Sequence, residues 1–417
     1  MNNNKPELLS PGGSYEKAKY ALDFGADAVY CGVNLFTLRT YEGNFDNDEL
    51  EEIIKYAHSK NKNVYVALNI FAHNIHLKLI KNALKPLVKL KPDAFIVSDP
   101  GVFSIVKKLA SEVPIHISTQ ANVTNTESVK FWKEQGASRI ILARELTLKE
   151  IKEIKKEVKN FELETFIHGA QCMAYSGRCM LSAALNNKGR ANVGTCKNAC
   201  RWQYRELEEF KRPGTPLPVK EDLHGTYFFN ANDMCVIEHL PKLIKAGISS
   251  FKIEGRGRSI YYVSQITKAY RKAIDLAYKK SKNYLKETKS LKKEFKLSTQ
   301  REFDEGFFFG APKQTTKHGK MDPPYIFAAK LLKKIDKYTG KFLVINEIYK
   351  GEKVNILTPD EEFEIKLDKI ILASNKAEVQ SAHGGKKDEI LIKLPKEVEE
   401  STVIWLDKKQ RENKYKI

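Results

Sequence analysis

"AFIVSDPGVFSIVKKLASEVPIHISTQAN", residues 94–122, alternates two patterns. An apolar run, "AFIVSDP", ends in polar residues; "PGVFSIVKKLASEV" then sets apolar residues three and four apart, and "IHISTQAN" returns to the first theme. Spacings of three and four predict a helix packed by one face. Strand, helix, strand in this order implies a right-handed crossover between parallel neighbours. The unit recurs on both sides, in "ELLSPGG", "AVYCGV", "NVYVALN", "RIILARE", "LETFIHGA" and "FKIEGR", with helical stretches such as "DELEEIIKYAHSKN" and "TLKEIKKEVKN" between them. Eight such runs predict a closed (β/α)8 TIM-like barrel. An open doubly wound sheet would carry a Gly-rich phosphate turn after its first strand, and "SPGGSYEK" is not G-x-G-x-x-G.

Active sites of this fold gather where strands end. Those ends offer Ser10, Cys31, Asn69, Asp99, Thr119, Gln120, Asn122, Arg144 with Glu145, His168, and Glu254 with Arg256. Each singly could be a helix cap. A ring holding both Arg and carboxylate groups suits a small anionic substrate gripped by guanidinium forks.

Between the seventh and eighth runs lies an insert, residues 170–249, on the face where the site is expected. It holds Cys172, Cys179, Cys196 and Cys200, with gaps of 6, 16 and 3 residues. Zinc ribbons use tight paired knuckles, and the first gap is too wide for one. Four thiolates on an irregular backbone fit an iron-sulfur cluster better; zinc and inert thiols remain the competing readings. Arg178, Lys188, Arg190, Lys197, Arg201 and Arg205, with Trp202 and Tyr204 among them, could stabilise thiolates, bind RNA, or form a solvated loop.

The net charge of +19 favours a polyanionic partner, nucleic acid first, although a Lys-rich composition alone would also produce it. No run approaches the length of a membrane span and the N-terminus lacks a secretory pattern, so a cytoplasmic protein without a membrane partner is expected. There, clustered cysteines are metal ligands or catalytic thiols rather than disulfides. The expected layout is a barrel over 1–285 including the insert, a linker or extension over 286–324, and from 325 to 417 a small antiparallel β-barrel, since "KFLVINEI", "EILIKLP" and "TVIWLD" turn to period two. Residues 279–296 contain eight Lys and two Glu, enough to attract a phosphate backbone, yet a charge run is more often a solvated helix face.

"ETFIHGAQCMAYSGRCMLS" closely resembles the signature of the collagenase-like peptidase family, peptidase family U32, and "ISTQANVTN", "ILARELTL", "CRWQY", "FKIEGR" and "DEGFFFG" resemble further blocks of it in order. The resemblance implies two activities. One is proteolysis. The other is a tRNA hydroxylation branch that makes 5-hydroxyuridine at the wobble position with prephenate as co-substrate. Similar proteins of ubiquinone hydroxylation hold a 4Fe-4S cluster through four cysteines, which makes Cys172, Cys179, Cys196 and Cys200 the expected cofactor ligands here. The residues favour hydroxylation: no G-x-S-x-G or H-E-x-x-H is present. Neither Cys31 with His168 nor Ser118 with His116 is marked as a catalytic pair. On this reading Arg144 and Arg256 hold the carboxylates of the donor, His168 and Glu254 transfer protons, and the partners are tRNA and a small anionic metabolite. A homo-oligomer is compatible with these features. A peptidase and a zinc-stabilised RNA-binding protein are the alternatives.

Overall fold

The computed structural model of the protein describes residues 5–33, 37, 43–172, 174–177, 179, 192, 220–222, 225–227, 231–295, 302–313, 324–408 and 411. The barrel begins with β1 (Glu7–Gly12), α1 (Tyr15–Asp23), β2 (Ala28–Gly32), α2 (Asn47–Ser59), β3 (Asn63–Leu68), α3 (Asn74–Lys89), β4 (Ala94–Val97) and α4 (Pro100–Leu109). It continues through β5 (Ile115–Ile117), α5 (Thr126–Glu134), β6 (Arg139–Ile141), α6 (Leu148–Glu157) and β7 (Glu162–Ala170). The insert contributes a short hairpin, β8 (Lys220–Asp222) and β9 (Gly225–Tyr227), then β10 (Asp233–Cys235) and α7 (Leu240–Lys245). The eighth barrel strand, β11 (Ser250–Ile253), pairs in parallel with both β7 and β1 and so closes the ring.

Local chemistry explains the helix starts. Asp46 and Thr147 close capping boxes with Glu49 and Glu150, and Asp99 accepts from the Val102 amide ahead of Pro100. Strand β10 runs antiparallel to the end of β7 and pairs with β12 (Phe303–Asp304). The segment expected as linker or extension is partly structured against the barrel. After α8 (Ile260–Tyr278), helix α9 (Tyr284–Phe295) crosses the expected boundary at 285 and buries Tyr284, Leu291 and Phe295 in the barrel core.

The C-terminal part is an antiparallel sheet, as period two predicts. Its strands are β13 (Tyr325–Lys334), β14 (Thr339–Val344), β15 (Ile348–Tyr349), β16 (Lys353–Leu357), β17 (Glu362–Lys366), β18 (Ile371–Leu372), β19 (Ser381–Ala382), β20 (Glu389–Lys393) and β21 (Val403–Asp407). Seven run in the order β17-β16-β21-β13-β14-β20-β18, and β15 pairs with β19 apart. The expected barrel closure is not among the described ladders, because β17 and β18 end the sheet without pairing to each other. An aromatic seam of Tyr20, Phe24, Tyr261, Tyr325 and Trp405 joins this sheet to α1 and α8. There Ser259 and Tyr325 share a hydrogen bond, and the Ser401 hydroxyl donates to Asp23.

Candidate active site at the barrel mouth

At the base of the lumen, Arg139 on β6 donates to Glu7 Oε1 (2.6 Å), Glu162 Oε2 (2.8 Å) and Glu164 Oε2 (3.1 Å). Tyr65 and Ser250 add hydrogen bonds to Glu7. Above them Lys252 on β11 donates to Glu164 (3.2 Å) and lies over the Tyr30 ring at 4.3 Å. Burial lowers the Lys252 pKa and Glu164 opposes that shift. The interior is thus a packed, internally neutralised stack rather than a pore.

Higher up the chemistry changes. Phe166 on β7 lies between Lys252 and Arg144, whose guanidinium carbon stands 4.0 Å from the ring centre. Arg144 makes no ion pair among the described residues. With Glu145, Gln171, Cys172, Tyr175, Ser176 and Phe307 it lines a cleft of about 200 Å³. Four hydrogen bonds fasten the thiol-bearing segment over this mouth. Ser176 donates to Glu145 through its amide (2.6 Å) and hydroxyl (3.1 Å). Gln171 Nε2 donates to Asp304 (2.8 Å) and to the Asn232 carbonyl (3.1 Å). Gly177 lies so close to the Gln120 carbonyl that a Cβ there would sit 2.0 Å from the oxygen, at a φ of +74°. Farther along the insert, the Asn192 carbonyl accepts from the Phe71 amide of the loop after β3. The insert therefore touches loops after β3, β5 and β6.

Cys172 is exposed and Cys179 half-exposed, both as free thiols. Cys196 and Cys200 lie outside the described residues. The other two cysteines are buried: burial pushes Cys31 up to about 12 and Cys235 up to about 11. A thiolate ligand must deprotonate, so the accessible pair is suited to soft-metal ligation and the buried pair is not. Among the described residues no three metal-binding side chains converge.

The remaining expected site residues are placed otherwise. His168 was expected at the mouth to transfer protons. Alternation along β7 would carry it there after Glu164 and Phe166, but β7 advances two residues for one of β11 between Phe166 and His168. This bulge turns His168 outward among Tyr262, Tyr270, Phe295 and Phe303, with Nδ1 3.3 Å from the Tyr270 hydroxyl. Burial, reinforced by Arg258 and opposed by Asp233, pushes its pKa down to about 3, so it is a neutral packing residue. Arg256 is likewise not open to a donor carboxylate in the described arrangement. It is 3% exposed, packs against Gly32, and donates to Thr37 Oγ1 (2.7 Å), the Gly43 carbonyl (2.6 Å) and Asn44 Oδ1 (2.8 Å). It pins the loop after β2, four strands around the ring from Arg144. Glu254 is half-buried at the end of β11, and its carbonyl accepts from the Tyr262 hydroxyl.

Other strand-end side chains are engaged in structural hydrogen bonds: Ser10 bonds Thr267 of α8, Asp99 caps α4, and Thr119 donates to the Leu142 carbonyl. Cys31 sits beside Gly12 and Ala18, and Ser118 accepts from the Gln120 amide while His116 rests edge-on against Tyr65. Neither pairing considered for a protease is thus in contact. Gln171, Ser176 and Phe307 were not foreseen, although Gln171 and Ser176 stand in the signature segment and Phe307 in "DEGFFFG".

Residues 13–318 match peptidase family U32. The chain belongs to peptidase family U32. Within this family it is 43% identical to tRNA hydroxylation protein P of Escherichia coli, over 65% of this chain and 68% of that one. It is 35% identical to the protein of the same name in Haemophilus influenzae, covering 94% of each. A collagenase of Porphyromonas gingivalis is 32% identical over 66% of this chain and 67% of its own. No helix among the described residues is long and apolar enough to cross a membrane.

Proposed function

We propose that this protein is a tRNA-modifying hydroxylase that forms 5-hydroxyuridine at the wobble position, with prephenate as co-substrate and a 4Fe-4S cluster held by Cys172, Cys179, Cys196 and Cys200. The observation that carries this reading is the cleft in which Cys172, an accessible thiol, stands beside Arg144, a cation without an ion-pair partner among the described residues. The donor set fits such a cluster: the two placed ligands are free, exposed to different degrees, and lie on one fastened segment, whereas the other described cysteines are buried. When bound, the cluster supplies one-electron chemistry next to the cleft.

The chain's own residues supply the rest. Arg144, flattened on Phe166, presents its N–H fork to a carboxylate of the donor. Glu145 spends both oxygens on Ser176 and keeps the cysteine segment seated. Arg256 shapes the opposite wall through Gly43 and Asn44. Proton transfer falls to Glu254 or to groups of the substrates, since His168 is enclosed. A cytoplasmic address follows from a tRNA substrate.

The test is mass analysis of tRNA nucleosides from a deletion strain. Loss of 5-hydroxyuridine, restored by the intact gene but not by Cys172→Ser, is the expected result. An unchanged nucleoside profile would overturn the reading, and gelatin cleavage by the pure protein would favour the peptidase alternative.

A further inference from the structure

The Lys-dense stretch after α8 is arranged so that its charges gather on one side. Helix α9 packs one side against α8 and the turn Ile237–His239 through Tyr284, Thr288, Leu291 and Phe295. Its outer side carries Lys286, Lys289 and Lys293, and Lys282 precedes it in the same direction, all exposed. None of these four is ion-paired among the described residues. The acids of the helix are turned elsewhere: Glu287 pairs with Lys272 at 3.2 Å, and half-buried Glu294 faces Lys272, Lys268 and Glu362. With a rise of about 1.5 Å per residue, the four cations form a line of roughly 16 Å.

Helix α6 shows that this segregation is particular. It too is rich in Lys, but its exposed face interleaves Lys149, Lys152 and Lys156 with Glu150, Glu153 and Glu157. Its field therefore cancels locally, whereas that of α9 adds up.

The line also has a direction. The Tyr284 hydroxyl donates to the Ile237 carbonyl, below the end of β7, while the Phe295 ring lies 5.0 Å from that of His168 near the top of β7. Beyond it, β12 and the turn Gly306–Phe309 bring Phe307 to the rim of the cleft. The row of lysines climbs the barrel wall and ends beside the mouth.

We propose that Lys282, Lys286, Lys289 and Lys293 form a docking rail for the sugar-phosphate backbone of the tRNA, which holds the body of the molecule while one base reaches the cleft. This rests on the tRNA reading above. Contacts of this kind position a nucleic acid without reading its sequence. Each neutralised phosphate contributes about 0.7 to 0.9 to the slope of log affinity against log salt.

The test measures bulk tRNA binding by the full-length protein across a salt series. Changing the four rail lysines together to Gln should reduce the magnitude of the slope by about three and weaken binding at low salt by tenfold or more. The matched set Lys149, Lys152, Lys156 and Lys159, all to Gln, removes the same charge from α6 and its end and should leave the slope within about half a unit. Equal loss in both variants, or none in the rail variant, overturns the proposal; so does uptake of the wild type by anionic vesicles with no rail effect on tRNA binding. Unchanged thermal unfolding of both variants excludes misfolding. Because the slope is read without turnover, a deletion strain that keeps its 5-hydroxyuridine would remove the proposed reaction and leave the rail standing.

Discussion

Arg139 and Arg144 are five residues apart, yet the barrel uses them in opposite ways. At the base of the lumen Arg139 is 6% exposed and bonded to three carboxylates, and the attraction of Glu7 and Glu164 overcomes burial to raise its pKa. At the mouth Arg144 has a ring beneath it and a cleft in front. One cation is fully answered by the chain; the other has no ion-pair partner among the described residues, which is what the proposed grip on an anionic donor requires. On the proposed reading, a single fold keeps stability and recognition at separate ends of the same strands.

That contrast can be broken by substitution. Arg139→Met leaves Glu7 without a cation and Glu164 with Lys252 alone, and should cost about 3 to 5 kcal/mol in denaturant unfolding; a comparable cost for Arg144→Met would erase the distinction. Cys172→Ser should reduce 5-hydroxyuridine formation at least about 100-fold, equivalent to about 2.7 kcal/mol, with loss of protein-bound iron and little change in unfolding. His168 sharpens the picture from the core side. Its folded pKa lies below the unfolded value of about 6.5, so the unfolded chain binds the extra proton and stability is complete above that value and falls as pH drops toward about 3. Between pH 7 and pH 5 this should remove about 2 kcal/mol, a dependence that His168→Phe should flatten. Smallest is Arg144→Lys, which keeps charge but loses the fork; KM for the anionic co-substrate should rise about tenfold with kcat nearly unchanged.

The barrel was legible because its runs are long in Val, Ile and Phe and are punctuated by caps such as Asp99 and Thr147. The thiol segment was legible through its spacing and its place before the last strand. What stayed hidden was direction. Strands buried on both faces carry no alternation of polarity, so nothing local says that Ser10 and Cys31 face helices while Tyr30 and Lys252 face the lumen. His168 needed one more fact, a bulge after Phe166 that no nearby residue announces except Gly169 at positive φ. Arg256 was visible as an Arg at a strand end; its commitment to Thr37, Gly43 and Asn44 depends on a loop more than 200 positions earlier. The start of α9 was missed because its apolar positions, Tyr284, Leu291 and Phe295, are sparse among lysines.

The seam of Tyr20, Phe24, Tyr261, Tyr325 and Trp405 bears on how the protein can be dissected. Severed at residue 324, the barrel would present bare rings to water where Trp405 now rests 5.2 Å from Tyr261. Such a fragment would tend to clump, and a loss of activity in it would report insolubility before it reported anything about catalysis.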